Sequence, residues 1–486
     1  MQPLERSLRS KLERTIRNAR DIAEVATRAT LEQLGVKEAA PFAFLSEEER
    51  ELRRKLRVHG RQLGDIRDSS SEAQEIDRLV EEVAYEHWHR MLFARFLAEN
   101  GLLMYWPEGD DEPIDIDLAT CQDLIDEGAE QAGSKWELAS RCAARMLPQI
   151  FRPDSPVFRL TLPTEYQQKL EELLAGLPSA VFVAADSLGW VYQFWQAKKK
   201  EEVNAAEVKI GARELPAVTQ LFTEPYMVSF LLDNSLGAWW AARRLSELDC
   251  RQVASEEELR AKAAISGVPL KYLRFVKQEG GAWTPASGTF AKWPEQLKEI
   301  KTLDPCCGSG HFLVAAFLML VPMRMEVEGL SAIDAVDAVL RENIHGLEID
   351  QRCVEIAAFA LALTAWRYPD AGGYRALPEL NVACSGLSVS MLKEEWKQMA
   401  TGKHNLKISL DWIYDVFENA PVLGSLLNPA RTEAAKLVKW DELSQLLAQG
   451  LVQGEAERQD EMGVVAQGLA KAATLLADRY QWVITN

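Results

Sequence analysis

The sequence predicts an α/β protein in which a mostly α-helical N-terminal part precedes a parallel sheet with crossover helices. Leu297–Leu303 is short and half apolar, like a strand, and a small-residue turn connects it to the apolar run Phe312–Val321. That run is long enough for a buried helix. Asn343–Asp350 repeats the arrangement, because it precedes Gln351–Trp366, a run rich in Ala, Leu and Ile. The sheet is therefore expected to start with two strands, each followed by a helix.

The turn after the first predicted strand lies within LDPCCGSGHF, residues 303–312. Glycines at 308 and 310 let the backbone approach a ligand, and the following helix offers unpaired N–H groups. A phosphate loop is excluded because no Gly-Lys-Ser/Thr follows, and the dinucleotide pattern G-x-G-x-x-G fails because residue 313 is Leu. Asp304 at the strand end can accept hydrogen bonds from an ammonium group, which a methionine-type ligand carries and a phosphate ligand lacks.

Two acidic residues lie at the carboxyl end of the second predicted strand. Glu348 is placed to hold ribose hydroxyls, and the alternative for it is a solvated strand end. Asp350 directly precedes a helix, so we interpret it as the N-cap of that helix.

These segments resemble the S-adenosylmethionine-dependent DNA methyltransferases that modify adenine N6. DPCCGSGHF is similar to their first motif and GLEID to their second, and the final residues WVITN resemble the strand before their catalytic Asn-Pro-Pro-Tyr. Only Asn486 of that last motif is present. The resemblance predicts that the sequence is a fragment that ends at its active site. It also implies a Rossmann-like methyltransferase sheet behind the helical N-terminal domain.

The resemblance implies a set of site residues and the cofactor S-adenosylmethionine. Thr223 opens a segment similar to the family motif that closes over the methionine carboxylate, and the alternative role for Thr223 is simple helix capping. Ser385 stands where the family usually has an Asp that binds the cofactor's adenine. The predicted catalytic residue is Asn486, and the predicted cofactor-binding residues are Thr223, Asp304, Pro305, Gly308, Ser309, Gly310, Phe312, Glu348, Ile349 and Ser385.

The activity that the resemblance implies is site-specific methyl transfer to adenine N6 in double-stranded DNA, self-marking in a restriction or phage-defence system of the BREX or DISARM kind. The family's Asn carbonyl and first Pro carbonyl accept the protons of a base that has left the duplex. A chain that ends at Asn486 is therefore expected to bind cofactor without transferring methyl groups. Other defence subunits are possible partners. Two alternatives stay open: a non-catalytic S-adenosylmethionine-binding or assembly subunit, and a methyltransferase acting on RNA or protein amides.

Composition limits the other classes of function. The net charge of -18 argues against a surface that binds nucleic acid everywhere, although it allows a local basic cleft. The absence of a long apolar run or signal sequence predicts a cytoplasmic protein without membrane contact. The 7 Cys and 6 His have no paired spacing, so the sequence predicts reduced thiols and no metal site.

We predict a helical domain at 1–200, a charged linker at 201–215 and the methyltransferase domain at 216–486, with helical insertions at 238–297 and 390–479. Six basic residues open the helical domain, and a solvated helix face is favoured for them over contact with phosphates. They are Arg6, Arg9, Lys11, Arg14, Arg17 and Arg20.

Overall fold

The computed structural model describes residues 3–151, 155–206, 209–211, 214–219, 223–387, 411–412, 414–429 and 458–485. They fall into two units. The first contains Met1–Gln220 and Ser388–Asn419, and the second contains Leu221–Leu387 and Ala420–Asn486. The predicted domain limits at residues 200 and 216 remain a prediction. The structure confirms the predicted fold class, a parallel sheet with a mostly helical N-terminal region.

The first unit is built from helices because its apolar residues recur at helical spacing. Tyr85, Trp88 and Phe96 are almost fully buried on its central helix, α3. A short antiparallel pair, β1 (Met104–Tyr105) and β2 (Ile114–Asp115), follows that helix. The helices are α1 (Arg6–Gln33), α2 (Glu47–Leu63), α3 (Asp77–Glu99), α4 (Leu118–Asp126), α5 (Lys135–Met146), α6 (Pro148–Phe151), α7 (Thr164–Ala175), α8 (Ala180–Val183), α9 (Ser187–Ala206) and α10 (Leu215–Thr219).

The basic N-terminal helix α1 uses part of its charge within the first unit. Arg20 is buried and donates to the carbonyl of Trp195 (2.5 Å) and to Glu24 (2.6 Å). Arg17 pairs with Glu201 of α9. These contacts explain two of the six basic residues as structural, while Arg6, Lys11 and Arg14 are exposed, as expected of a solvated face.

The lysine run 198–200 lies inside helix α9, which extends into the range 201–215 predicted as a linker. Helix α9 continues to Ala206. Lys198 pairs with Asp21 (2.5 Å) and Lys199 with Glu81 (2.9 Å). Ion pairs to two neighbouring helices hold the run in place, and the sequence of the run does not reveal them.

The second unit combines a parallel sheet with helices. Its helices are α11 (Pro225–Asp233), α12 (Leu236–Arg244), α13 (Glu247–Gln252), α14 (Glu256–Ala263), α15 (His311–Glu328), α16 (Ala332–Glu342), α17 (Gln351–Trp366), α18 (Ala420–Leu423) and α19 (Arg458–Ala477). Its strands are β3 (Phe275–Lys277), β4 (Trp283–Pro285), β5 (Thr302–Asp304), β6 (Ile344–Glu348), β7 (Asn381–Cys384) and β8 (Trp482–Val483). β3 and β4 form a separate antiparallel hairpin.

The four strands β5 to β8 form one parallel sheet in the order β7-β6-β5-β8. The chain moves outward from β5 to β6 and β7, and then returns to the other side of β5 for β8. The strand order therefore reverses between β5 and β8. In open α/β sheets such a reversal leaves a crevice outside the carboxyl ends of the strands, where ligands bind.

One element boundary differs from the predicted one. β5 starts at Thr302 rather than at Leu297, because Leu297–Glu299 forms a 3-10 turn. None of the helices in the described ranges is long and apolar enough to cross a membrane.

Candidate functional site

The carboxyl ends of three neighbouring strands bring the predicted acidic and hydroxyl side chains to one edge of the sheet. Asp304 ends β5, Glu348 ends β6, and Ser385 directly follows β7. The backbones are bonded to one another here, since the N–H of Ser385 donates to the carbonyl of Glu348 (2.7 Å) and that of Cys307 to Leu347 (2.9 Å). The three strand ends thus bring together residues that are about forty positions apart in the sequence.

The turn between β5 and α15 needs glycine at two positions. Gly308 and Gly310 have φ of 52° and 79°, in the left-handed region that other residues rarely adopt. A Cβ on Gly310 would lie 2.9 Å from the Cα of Ala357, so the turn also packs directly against helix α17. Helix α15 starts at the next residue, and its first N–H groups have no partner within the helix. The turn therefore presents a helix N-terminus at the edge of the sheet.

Glu348 holds this turn. One carboxylate oxygen accepts from the N–H of Gly308 (2.8 Å), and the other accepts from the N–H groups of Ile349 (2.8 Å) and Asp350 (3.3 Å). The side chain is only 4% exposed. Asp350 caps α17 by accepting from the N–H of Arg352 (3.0 Å), which confirms the N-cap interpretation. A solvated strand end is excluded for Glu348, because the acid is buried and bonded on both oxygens.

Burial favours the protonated form of the two acids at this edge of the sheet. Asp304 is 1% exposed, and its removal from water raises the pKa of its carboxyl to about 8, although the N–H of Cys306 donates to it (3.1 Å). Burial also raises the pKa of Glu348. A nearby positive group would favour the charged form of both acids and lower each pKa again. The site is thus able to bind a cation together with release of a proton.

Ser385 has the clearest unused hydrogen-bonding capacity of the three. Its hydroxyl is buried, and no residue in the part of the chain that the structure describes hydrogen-bonds to it. The neighbouring Gly386 leaves no space for a side chain, since a Cβ there would lie 2.1 Å from the carbonyl oxygen of Ile349. An unpaired buried hydroxyl costs about 1–3 kcal/mol, so it points to a ligand that pairs with it.

The remaining predicted site residues differ from one another in how deeply they are buried. Pro305 and Ser309 lie half-buried on the turn, and Ile349 is half-buried next to Glu348. Phe312 is buried in the core of the second unit. Asn486 lies outside the described residues. The strand before it runs parallel to β5, and the N–H of Ile484 donates to the carbonyl of Leu303 (2.9 Å), so β8 ends next to Asp304.

Thr223 is buried and lies just before helix α11, but it does not cap that helix. The N-cap residue is Glu224, and its side chain makes no capping hydrogen bond. The capping interpretation of Thr223 is therefore wrong, because Pro225 at the first helical position shifts the helix start by one residue. The predicted contact between Thr223 and the cofactor remains a proposal.

Sequence reasoning missed two glycines that shape the site, Gly346 and Gly386. A Cβ on Gly346 in β6 would lie 2.6 Å from Leu313, and one on Gly386 would lie 2.1 Å from the carbonyl oxygen of Ile349. Their neighbours are remote in sequence, so no local pattern reveals the need for glycine. A glycine inside a predicted strand is the one available signal, since it often marks a close approach.

The fold and the site are those of an open α/β domain that binds its ligand at the strand ends: a parallel sheet with a glycine turn after its first strand and an acid after its second. Comparison with protein families agrees, because residues 283–420 match the family described as MmeI, DNA-methyltransferase domain.

Three curated relatives are similar to parts of the chain that differ in length. Adenine-specific methyltransferase BrxX of Escherichia coli O9:H4 (strain HS) is 26% identical over 460 residues, covering 85% of this chain and 36% of BrxX. Adenine-specific methyltransferase PglX of Lacticaseibacillus casei is 27% identical, covering 45% of this chain and 17% of PglX. PglX of Streptomyces coelicolor is 40% identical over 83 residues, covering 17% of this chain and 6% of PglX.

The resemblance to large adenine-specific methyltransferases that the motifs predict is thus confirmed. The chain spans about a third of the length of BrxX and less of the other relatives.

Proposed function

We propose that this chain carries the S-adenosylmethionine-binding domain of a site-specific adenine-N6 DNA methyltransferase that marks DNA in a phage-defence or restriction system. The observation that carries the proposal is the joint position of Asp304, the Gly308–Gly310 turn and Glu348 at the strand ends next to β8. The names of the relatives support the reaction and the substrate.

The residues present fit the cofactor. The buried carboxyl of Asp304 is suited to the ammonium group, and the glycine turn, which packs against Ala357, presents the N-terminus of α15 to a ligand. Glu348 is placed for the ribose and the unpaired hydroxyl of Ser385 for the adenine. The bound cofactor supplies an activated methyl group. The residues after β8 include Asn486, whose side-chain carbonyl would accept a hydrogen bond from the adenine amino group and so raise the electron density on its nitrogen.

Binding and transfer are tested separately. Calorimetry with S-adenosylmethionine and with its demethylated product tests the site, and absence of heat from both would contradict the proposal. Tritium transfer from labelled cofactor to unmethylated DNA, using the complete gene product, tests the activity. Asn486→Ala is expected to abolish the labelling of DNA while cofactor binding persists. Label in a protein or RNA, with none in DNA, would favour the alternative substrates.

A second function, cofactor binding without catalysis, is favoured by Ser385. A hydroxyl accepts a weaker hydrogen bond from the adenine amino group than the carboxylate that the family usually has here. Wild-type protein that binds cofactor but leaves DNA unlabelled would support this function.

Ser385→Ala is expected to weaken cofactor binding by about 3- to 10-fold, because one neutral hydrogen bond contributes about 0.5–1.5 kcal/mol. The unliganded protein should keep or gain stability, since no described residue bonds to the hydroxyl that is removed. Titration calorimetry gives the affinity and thermal melting gives the stability. Unchanged affinity would remove Ser385 from the cofactor site.

Cofactor affinity is expected to rise with pH up to about pH 8, the pKa of Asp304 in the unliganded protein, above which the cofactor's ammonium group starts to lose its own proton. Below that pH the carboxyl must lose its proton before it can pair with the ammonium group, so affinity changes by up to about tenfold per pH unit. Calorimetry in two buffers of different ionisation enthalpy should show proton release at neutral pH. A flat profile would show that Asp304 does not pair with the cofactor.

A further inference from the structure

A short turn that belongs to none of the predicted motifs lies over the candidate site. The Gly424 turn, defined as the 3-10 turn Gly424–Leu426, follows α18 in the second unit. The hydroxyl of Ser425 lies 3.8 Å from the sulfur of Cys306 in the turn after β5. A Cβ on Gly424 would lie 3.4 Å from Ile349 and 3.5 Å from the hydroxyl of Ser385. One segment thus contacts residues that follow three strands of the sheet.

The Gly424 turn helps to enclose the hydroxyl that the site leaves unpaired. Ser385 is 1% exposed, so an adenine ring reaches it only if segments around it move, and the Gly424 turn is one of these segments. The enclosed hydroxyl also lacks a partner among the described residues. A buried polar group of this kind is satisfied when a ligand replaces the covering segment.

The side-chain contacts that the structure describes for the Gly424 turn are weak. A thiol and a hydroxyl at 3.8 Å form a poor hydrogen bond, and Gly424 lies against Ile349 and Ser385 without a side chain of its own. Leu426, the last residue of the turn, is 81% exposed, so its side chain does not anchor the turn in the core. Segments with few buried contacts open at low free-energy cost.

We propose that the Gly424 turn is a gate on the nucleoside end of the cofactor pocket. It moves away to admit the adenosyl group and then closes against the adenine, with Gly424 and Ser425 lining the pocket opposite Ser385. The proposal rests on the proposed function, because the ligand that it admits is S-adenosylmethionine.

The test locks the gate with a disulfide. In Ser425→Cys the introduced thiol faces Cys306, and mild oxidation with diamide joins the two; mass spectrometry confirms the bond. The oxidised, cofactor-free protein is expected to bind S-adenosylmethionine at least about 20-fold more weakly than the reduced protein, because the binding-competent population falls by that factor. Dithiothreitol should restore binding. The control is the double variant Cys306→Ser/Ser425→Cys, which cannot form this bond and should bind equally before and after oxidation.

A second measurement does not require the disulfide. In the same double variant, the rate at which maleimide alkylates the introduced thiol reports how accessible residue 425 is, and residue 425 is partly exposed when no ligand is bound. Saturating cofactor is expected to slow this alkylation at least about fivefold, since the ligand favours the closed state. Alkylation is measured on the peptide that contains the introduced thiol, because Cys250 is partly exposed and can also react.

The outcomes separate the gate from the proposed function. If the reduced protein binds no cofactor, the proposed function fails. If the reduced protein binds but crosslinked and reduced forms bind equally, or if cofactor leaves the alkylation rate unchanged, the gate alone is overturned. Weaker binding by the crosslinked form together with slower alkylation supports the gate.

Discussion

Asp304→Asn is expected to weaken S-adenosylmethionine binding by about 30- to 100-fold while making the unliganded protein more stable. The loss of affinity follows because a buried charge-assisted hydrogen bond to the ammonium group contributes about 2–3 kcal/mol. The gain follows because the folded protein holds this carboxyl at a pKa of about 8, far above its usual value of 3.8. Isothermal calorimetry measures the affinity, and urea unfolding at several pH values measures the stability.

The sign of the stability effect depends on pH. Between pH 3.8 and about 8 the folded state holds a proton that the unfolded state releases, so the stability of the wild type falls as pH rises through this window. Asp304→Asn removes that dependence and keeps an oxygen that can accept from Cys306. At about pH 8.5 the variant is expected to be more stable than the wild type by roughly 5 kcal/mol, from about 1.36 kcal/mol per unit of the pKa difference, and near pH 4 the two should be nearly equal.

Asp350→Asn is the matched control for this prediction. Asp350 is a buried acid two residues after Glu348, but it caps α17 and pairs with Arg352 (2.8 Å). Its substitution is expected to lower stability and to leave cofactor affinity within about threefold of the wild type. If both variants lost affinity equally, a general disturbance of the strand ends would explain the effect, and Asp304 would have no specific role.

Gly310→Ala is expected to lower the free energy of unfolding by about 2–4 kcal/mol and to abolish measurable cofactor binding. The added methyl group would lie 2.9 Å from the Cα of Ala357, and φ at this position is 79°. The β5–α15 turn must then move away from α17, which displaces the helix N-terminus from the strand ends. Urea unfolding and calorimetry at a temperature well below the transition check the two effects.

Gly329→Ala separates the clash from the backbone strain. Gly329 ends the same helix and has a similar φ of 66°, but a Cβ there would have no neighbour within 4 Å. This variant should lose only about 1 kcal/mol and bind cofactor normally. An equal loss in both variants would mean that the close packing of Gly310 against α17 contributes little.

The sequence was sufficient to predict those parts of the site that depend on local order. A strand end, a glycine turn and a helix follow one another between residues 302 and 312, and the acid at Glu348 comes directly before a helix. The same order predicts the fold class. Two neighbouring parallel strands need a crossover connection, and a helix between two strands supplies one. The hydrogen bond from the N–H of Gly308 to Glu348 could not be predicted, since it joins two strand ends.

The parts that sequence reasoning missed are set by tertiary contacts. Gly386 is required by the carbonyl of Ile349, and Lys198 is held in a helix by Asp21 of another helix. The start of β5 was placed too early because Leu297–Glu299 is apolar enough for a strand but forms a 3-10 turn. The N-cap of α11 was placed one residue early because threonine caps helices well in general, while Pro225 determines where this helix begins.

The position of β8 beside β5 has a consequence for biosynthesis. The N–H of Lys301 donates to the side chain of Gln481 (2.9 Å), 180 positions later, whereas β5, β6 and β7 are complete by Cys384. As the chain leaves the ribosome, at about 5–20 residues per second, these three strands can pair while β8 is still being synthesised. One edge of β5 stays open during that interval, and an open edge can pair with another nascent chain. Slow translation between residues 384 and 482 is therefore expected to increase aggregation of this protein, and S-adenosylmethionine supplied during synthesis should reduce it if the first three strands already bind the cofactor.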